Sequence, residues 1–216
     1  MPTQARGRFI TVEGGEGAGK STQVDLLVAA LARAGIAHRR SREPGGSAGA
    51  EAIRQLLLDG ADERWDAIGE ALLLNAARRD HVVRLIEPAL AAGCWVVCDR
   101  FADSTLAYQG YGRGLPVADL AALHRFALGD FAPDLTLILD LPAEEGLRRA
   151  ARRSAAADRF ERLDPAFHER LRQGFRRIAA DDPARCVVID AAGDRDDVHR
   201  AVLAAIAARL GVDLAR

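Results

Sequence analysis

Eight residues near the N-terminus constrain the fold more than any other part of the chain. Residues 14–21 read GGEGAGKS, which matches the pattern G-x-x-x-x-G-K-S/T. An apolar strand candidate at residues 8–13 precedes them, and the segment that follows has apolar residues at helical spacing, namely Val24, Leu27, Val28 and Leu31. A strand, a glycine-rich turn and a helix in this order predict a loop that binds nucleotide phosphates.

Each type of residue in this loop has a chemical task. Small residues allow backbone N–H groups to point at phosphate oxygens. Lys20 supplies positive charge to the β- and γ-phosphates, and the Ser21 hydroxyl is a predicted ligand of Mg²⁺. The predicted ATP-binding residues are Gly14, Gly15, Glu16, Gly17, Ala18, Gly19, Lys20, Ser21 and Thr22.

Lysine occurs once in the chain, at Lys20, although Lys and Arg together number 30. An ammonium group is a compact point charge, whereas a guanidinium group is a broad planar fork. The single lysine is therefore expected where arginine would fit poorly. A chain with one lysine, already in this loop, also cannot carry the N-K-x-D motif with which a small GTPase reads guanine. A nucleotide-gated switch is thus the less favoured alternative to an enzyme.

Charge and composition limit the other classes of protein. A formal net charge of −1 and a pI near 6.5 argue against a protein that binds nucleic acid. The three cysteines, Cys94, Cys98 and Cys186, form no C-x-x-C pair, which is typical of a reducing compartment. No apolar run is long enough to span a membrane, and residues 1–8 lack the apolar core of a signal peptide. We therefore expect a cytoplasmic protein without a membrane partner.

Short apolar runs alternate with helical patterns along the chain. The strand candidates are residues 8–13, 36–43, 95–99, 135–140 and 186–190. Helical patterns include residues 65–90, where Pro88 marks an end or a kink, and residues 198–210. This alternation predicts an α/β fold with a five-stranded parallel sheet flanked by helices, in one domain over residues 1–216. A segment rich in alanine and arginine, at residues 148–160, is expected to form a small lid.

Arginines lie where a second phosphate would need them. Transfer of a phosphoryl group to another phosphate requires cations around both anions, and arginine binds phosphate through two N–H groups. Arg42 and Arg100 lie at predicted strand ends, and Arg78 lies in a helical segment. Asp99, beside Arg100, is a candidate to hold Mg²⁺ through water. The lid segment adds Arg148, Arg149, Arg152 and Arg153. A kinase with a phosphorylated acceptor is therefore favoured over a switch.

Several segments together resemble the signature segments of the thymidylate kinase family, in the same order and over nearly the entire chain. They are residues 10–23 (ITVEGGEGAGKSTQ), 42–46 (REPGG), 99–114 (DRFADSTLAYQGYGRG), 128–140 (LGDFAPDLTLILD) and 158–161 (DRFE). The resemblance implies a P-loop nucleoside monophosphate kinase fold, transfer of the ATP γ-phosphoryl group to dTMP, and Mg²⁺ as cofactor. It also implies a homodimer, through helices that flank residues 103–106 and 70–83. Another pyrimidine or deoxynucleoside monophosphate is the alternative acceptor.

The resemblance implies a role for each matching position. Arg100 would hold the acceptor phosphate with help from Arg54, and Arg78, Thr105 and Gln109 would read the thymine edge. The implied dTMP-binding residues are Glu16, Glu43, Arg54, Leu74, Arg78, Arg100, Thr105, Tyr108 and Gln109.

The remaining implied roles concern the sugar, the metal and the adenine. Tyr108 would lie under the deoxyribose, and Glu16 would approach the 3′-hydroxyl group. Glu43 and Asp99 would organise the acceptor phosphate and Mg²⁺ through water. The backbone at residues 192–194 would touch adenine.

Two positions depart from parts of the family. Some members carry a catalytic arginine in the phosphate loop, where this chain has Gly17, so the lid would supply that charge. Arg153 is the first choice and Arg149 the second. A phenylalanine commonly precedes the base-reading arginine by four residues, and here that residue is Leu74, which covers a base without aromatic stacking. The implied catalytic residues are Lys20, Asp99, Arg100, Arg149 and Arg153.

Overall fold

Parallel strands form the centre of the molecule. The computed structural model describes residues 5–59, 64–153 and 163–214. Its strands are β1 (Phe9–Gly14), β2 (His38–Arg42), β3 (Trp95–Asp99), β4 (Leu135–Asp140) and β5 (Cys186–Asp190). They pair in parallel in the order β2-β3-β1-β4-β5. The predicted α/β fold with a five-stranded parallel sheet is confirmed.

Helices connect the strands and cover the sheet. They are α1 (Lys20–Arg33), α2 (Ala48–Leu58), α3 (Ala67–His81), α4 (Glu87–Ala91), α5 (Ala102–Thr105), α6 (Val117–Leu128), α7 (Ala143–Arg153), α8 (Pro165–Asp181) and α9 (Arg195–Leu210). Two π-helical segments, Val82–Ile86 and Leu106–Gly112, follow α3 and α5 directly. Within the described ranges, no helix is long and apolar enough to cross a membrane.

Both faces of the sheet are buried, and β1 shows how its sequence achieves this. Ile10 and Val12 point into a cluster shared with α1 and α9. Phe9 belongs to the cluster on the other face, with Leu90 of α4. Successive strand residues point to opposite faces, so a strand covered on both sides is mostly apolar. This explains the apolar runs of the central strands, in which a buried polar residue such as Glu13 stands out.

Two predicted boundaries differ from the structure. The second strand was expected over residues 36–43 and covers only His38–Arg42, at the edge of the sheet. The helical stretch near Pro88 does not end there; the π-helical segment comes first, and Pro88 lies in the first turn of α4. Proline cannot donate to the carbonyl group four residues earlier, so the preceding turn widens.

The order of the strands locates a binding crevice. From β1 the chain passes β3 to reach β2 at one edge of the sheet. From β3 it passes β1 in the opposite direction to reach β4. The connections therefore leave β1 and β3 in opposite directions, and a crevice opens at the carboxyl ends of these two strands. Val12 of β1 is paired with Asp99 of β3 at that end.

Candidate active site

A cavity of about 300 Å³ lies at the carboxyl ends of β1 and β3. It brings together residues that the sequence places far apart, from the phosphate loop, the ends of β2 and β3, and helices α2, α3 and α5. The predicted site residues that line it are Glu16, Gly17, Gly19, Lys20, Ser21, Thr22, Glu43, Arg54, Leu74, Arg78, Asp99, Arg100, Thr105, Tyr108 and Gln109. The phosphate end and the acceptor end of the predicted site therefore share one cavity.

Lys20 is the first residue of α1 and is almost fully buried. Its Nζ atom donates to the carbonyl oxygens of Gly15 at 2.7 Å and Gly14 at 3.1 Å. Burial, followed by repulsion from Arg100, lowers the pKa of Lys20 to about 8. The lysine therefore closes the loop on itself and keeps its charge at the place where phosphates are expected.

The phosphate loop packs tightly on the first turns of α7. Gly17 has φ 65°, a left-handed conformation that favours glycine. A Cβ atom on Gly17 would overlap the carbonyl oxygen of Gly146, and a Cβ atom on Gly146 would overlap the carbonyl oxygen of Glu16. Glycine at both positions is what allows the two backbones to touch.

Ser21 and Asp99 form a pair of oxygen ligands beside the loop. The Ser21 hydroxyl donates to Asp99 Oδ2 at 2.6 Å. Among residues with known placement, there is no group of three or more His, Cys, Asp or Glu side chains around a common point. This donor set fits Mg²⁺, which takes one or two protein oxygens and completes its shell with water and phosphate oxygens.

Arg100 follows β3 and has φ 71°, which is unusual for a residue with a side chain. Its Nη2 atom donates to Glu16 Oε1 at 2.9 Å, and Nη1 donates to the Gly14 carbonyl oxygen at 3.1 Å. The same Nη1 atom lies 3.2 Å from Ser104 Oγ. The guanidinium group is thereby held against the phosphate loop, between the two halves of the cavity.

Glu13, which sequence reasoning missed, fixes the loop that carries Arg100. One oxygen accepts from the Phe101 backbone N–H at 2.7 Å and the other from the Ser104 hydroxyl at 2.6 Å. Burial, with Asp103 as a second cause, raises the pKa of Glu13 to about 8. The signal in the sequence was an acidic residue at the end of an apolar, fully buried strand.

Glu16 and Tyr108 form one side of the cavity. The Tyr108 hydroxyl donates to Glu16 Oε1, the oxygen that also accepts from Arg100. The Arg100 guanidinium lies 5.0 Å from the centre of the Tyr108 ring. Burial alone would raise the pKa of Glu16, but Arg100 and Lys20 outweigh it and lower the pKa to about 2. Glu16 therefore stays ionised at neutral pH.

Arg78 forms the far wall and is only 2% exposed. Its Nε atom donates to Glu43 Oε2 at 2.8 Å. Its Nη2 atom donates to Thr105 Oγ1 at 2.9 Å and to the Phe101 carbonyl oxygen at 3.2 Å. Nη1 has no hydrogen-bond partner in the described part of the chain, so this donor is available to a ligand in the cavity.

Gln109 presents an acceptor in the same cavity. Its Nε2 atom donates to Glu70 Oε2 at 3.0 Å. The carboxylate of Glu70 only accepts, so the amide must present its nitrogen to Glu70 and its oxygen to the other side. Its Oε1 atom is buried and has no partner among the residues of known placement. A ligand that donates a hydrogen bond to Gln109 Oε1 would satisfy this buried acceptor.

The lid arginines are only partly within the described ranges. Arg149, on α7, donates to the carbonyl oxygens of Ala191 at 3.0 Å and Ala192 at 3.2 Å. It therefore lies at the loop expected to touch adenine. Arg153 is the last residue of α7, and its side chain is not described. The DRFE segment and the rest of the expected lid, from residue 154 to residue 160, lie outside the described residues.

One cavity thus holds the phosphate loop with Lys20 and two further cations that can bind a second phosphate, Arg100 beside the loop and Arg54 on α2. A phosphate loop that shares a cavity with a second phosphate site, on a parallel sheet of this strand order, defines a nucleoside monophosphate kinase. Comparison with known proteins identifies the family. The family model described as thymidylate kinase matches residues 12–202, and the chain belongs to the thymidylate kinase family.

Known thymidylate kinases match this chain over nearly its full length and theirs. The chain is 56% identical to the thymidylate kinase of Caulobacter vibrioides, over 96% of this chain and 99% of that protein. It is 53% identical to the enzyme of Rhizorhabdus wittichii, over 93% of this chain and 97% of that protein. The crystal structure of thymidylate kinase from Ehrlichia chaffeensis superimposes with a TM-score of 0.76 at 34% identity, covering 93% of this chain and 99% of that one. The family function is phosphorylation of dTMP, with ATP as phosphate donor.

Proposed function

We propose that this chain transfers the γ-phosphoryl group of ATP to dTMP, giving dTDP and ADP for dTTP biosynthesis. The observation that carries the acceptor assignment is the pair of Arg78 Nη1, a donor, and Gln109 Oε1, an acceptor, on one wall of the cavity. Thymine offers the complement, a carbonyl oxygen that accepts beside a ring N–H that donates. Cytosine has an amino group and an unprotonated ring nitrogen at those places, so both contacts would be mismatched.

The sugar is assigned to the side of the cavity formed by Glu16 and Tyr108. Tyr108 is buried and anchored through its hydroxyl group, so its ring cannot move aside for a 2′-hydroxyl group. Glu16 is an ionised acceptor and suits the 3′-hydroxyl group. Leu74 completes the wall near Arg78 and would cover the base by dispersion alone.

Catalysis is proposed to depend on positioning and charge neutralisation. The acceptor phosphate is already nucleophilic, so Arg100 and Arg54 hold it in line and no strong general base is required. Lys20 neutralises charge on the donor phosphates. Bound Mg²⁺ supplies positive charge to the β- and γ-phosphate oxygens, and Ser21 and Asp99 would hold it, partly through water.

The contacts refine two of the expected roles. Both carboxylate oxygens of Glu43 face Arg78 and His81, which favours a role on the base side over one at the metal. Arg149 already donates to the loop at residues 191–192, which favours a role beside adenine. Arg153 therefore stays the proposed source of lid charge at the transferring phosphoryl group.

We further propose the organisation that goes with this activity. The chain would act as one catalytic domain over residues 1–216, with a lid at about residues 148–160 that closes over ATP and excludes water. It would work in the cytoplasm, which suits three cysteines that are all free. A homodimer is proposed as its assembly.

The test is ADP release by the purified protein with MgATP and each of dTMP, dUMP, dCMP, dGMP, AMP or no acceptor. We expect strong release with dTMP, weak release with dUMP and the least release with dCMP. Equal release with all three pyrimidines would still support a kinase but would contradict a preference for thymine. We would then attribute the lost preference to Leu74. Release that does not depend on an acceptor would contradict the proposal.

A further inference from the structure

A row of buried polar side chains ends at Arg78. Ser41 Oγ lies 2.6 Å from His81 Nε2, and His81 Nδ1 lies 3.0 Å from Glu43 Oε1. The other oxygen of Glu43 accepts from Arg78 Nε at 2.8 Å. All four side chains are buried, and His81 is completely so. The residues come from the end of β2, the loop after it, and the last turn of α3.

The hydrogen-bond roles along this row follow from its chemistry. The ionised Glu43 carboxylate only accepts, so His81 Nδ1 carries the hydrogen and donates. In a neutral histidine, Nε2 is then an acceptor, and the Ser41 hydroxyl donates to it. Glu43 balances the charge of Arg78 within this buried cluster.

We propose that His81 is a positioning residue for recognition of the acceptor base, acting through Glu43 on Arg78. This rests on the proposed function, because Arg78 is the donor assigned to thymine. His81 fixes one oxygen of Glu43, so the other oxygen points at Arg78 Nε. With Nε and Nη2 occupied by protein acceptors, the guanidinium plane is fixed and Nη1 is left for the base.

The loop after β2 closes over this row. Gly46 has φ 89°, and a Cβ atom on it would overlap the His81 ring. Ser41 is only 6% exposed under this loop, so its hydroxyl group is not accessible to a substrate as a nucleophile would be. The serine–histidine–acid order therefore serves to orient Arg78.

Two substitutions of His81 separate this role from a general contribution to packing. In His81→Asn the side-chain amide nitrogen takes the place of Nδ1 and can still donate to Glu43. In His81→Gln the side-chain amide reaches the place of Nε2, where its oxygen can accept from Ser41, and the donor to Glu43 is lost. We expect the KM for dTMP to rise about tenfold in His81→Gln and less than about threefold in His81→Asn.

Other kinetic constants make the test specific. The KM for ATP and the kcat at saturating substrates should change little in either variant, and the preference for dTMP over dCMP should fall in His81→Gln. His199→Gln, at a half-buried histidine on α9 outside the site, is the matched control and should match the wild type. Equal changes in both His81 variants, or a loss confined to melting temperature, would overturn the proposal.

Two checks keep the result interpretable. If His81→Gln does not fold, Ser41→Ala replaces it; this variant removes only the donor to Nε2 and should raise the KM for dTMP about threefold. No change in the dTMP KM of a folded Ser41→Ala protein would then contradict the proposed row. The wild type is assayed first: if it lacks dTMP-dependent ADP release, the proposed function fails, whatever the variants do.

Discussion

At the scale of single residues, Lys20 shows why a chain rich in arginine keeps one lysine. Its ammonium group is buried and donates to two carbonyl oxygens of the same loop. A guanidinium group is broader and planar, so it would not present the same compact charge to these two carbonyl oxygens. The composition indicated that this position was special, and the geometry supplies the reason.

The pKa of Lys20 predicts how ATP use depends on pH. Burial and Arg100 lower that pKa to about 8, so the free enzyme loses the lysine charge as pH rises through about 8. Bound phosphates would stabilise the charged form and raise the pKa again. We therefore expect kcat/KM for ATP to fall above pH 8, with a smaller change in kcat. Steady-state rates from pH 6.5 to 9.5 test this, and a flat kcat/KM profile would contradict it.

At the scale of elements, the end of β1 supports the loop after β3, and Glu13 makes this support sensitive to pH. An exposed glutamate ionises near 4.5, whereas burial raises the pKa of Glu13 to about 8. Between these values the folded protein binds more protons than the unfolded chain. The free energy of unfolding therefore falls as pH rises, and the loss is complete above about pH 8.

Glu13→Gln should remove part of this pH dependence. Glutamine can still accept from the Phe101 N–H and can donate to Ser104, so the loop keeps its contacts. We expect the melting temperature to drop less between pH 6 and pH 9 in the variant than in the wild type. Thermal unfolding followed by circular dichroism at both pH values checks this, and parallel curves would show that Glu13 does not titrate in this range.

The contact between the phosphate loop and α7 gives a second prediction for an element. Gly146→Ala places a Cβ atom against the Glu16 carbonyl oxygen, so the loop and helix must separate. We expect the KM for ATP to rise and kcat to fall, each about tenfold, because small displacements of positioned groups are costly. Glu144→Ala, at an exposed position of the same helix ahead of the proposed lid, changes α7 without touching the loop. Its KM for ATP should stay at the wild-type value.

At the scale of the whole molecule, the sequence predicted the sheet and the phosphate loop because both are local patterns. A run such as WVVCD is a strand in almost any context where both of its faces are buried. The contacts Glu13–Ser104 and Ser41–His81 join elements distant along the chain, and no local pattern reports them. The same holds for the position of Arg149 at residues 191–192, which depends on how α7 meets the loop after β5.

Exposed apolar residues predict where two copies of the chain would meet. Ile68 and Leu72 on α3 are 58% and 53% exposed, and Phe126 on α6 is 91% exposed. Helices α3 and α6 pack against each other, so these side chains belong to neighbouring surfaces, near the helices expected from the resemblance. Leu72→Arg combined with Phe126→Asp should yield a monomer in analytical ultracentrifugation. A wild type that is already monomeric at micromolar concentration would contradict the homodimer.

The close approach of Gly17 and Gly146 also bears on how the family could diversify. Members with a catalytic arginine in the phosphate loop carry it at the position of Gly17, where this backbone is left-handed and in contact with α7. An arginine introduced here alone would collide with the helix before it reached any phosphate. In this chain, moving the catalytic arginine into the phosphate loop would therefore require a second change at the start of α7, where the backbone of Gly146 occupies the space that a side chain at position 17 needs.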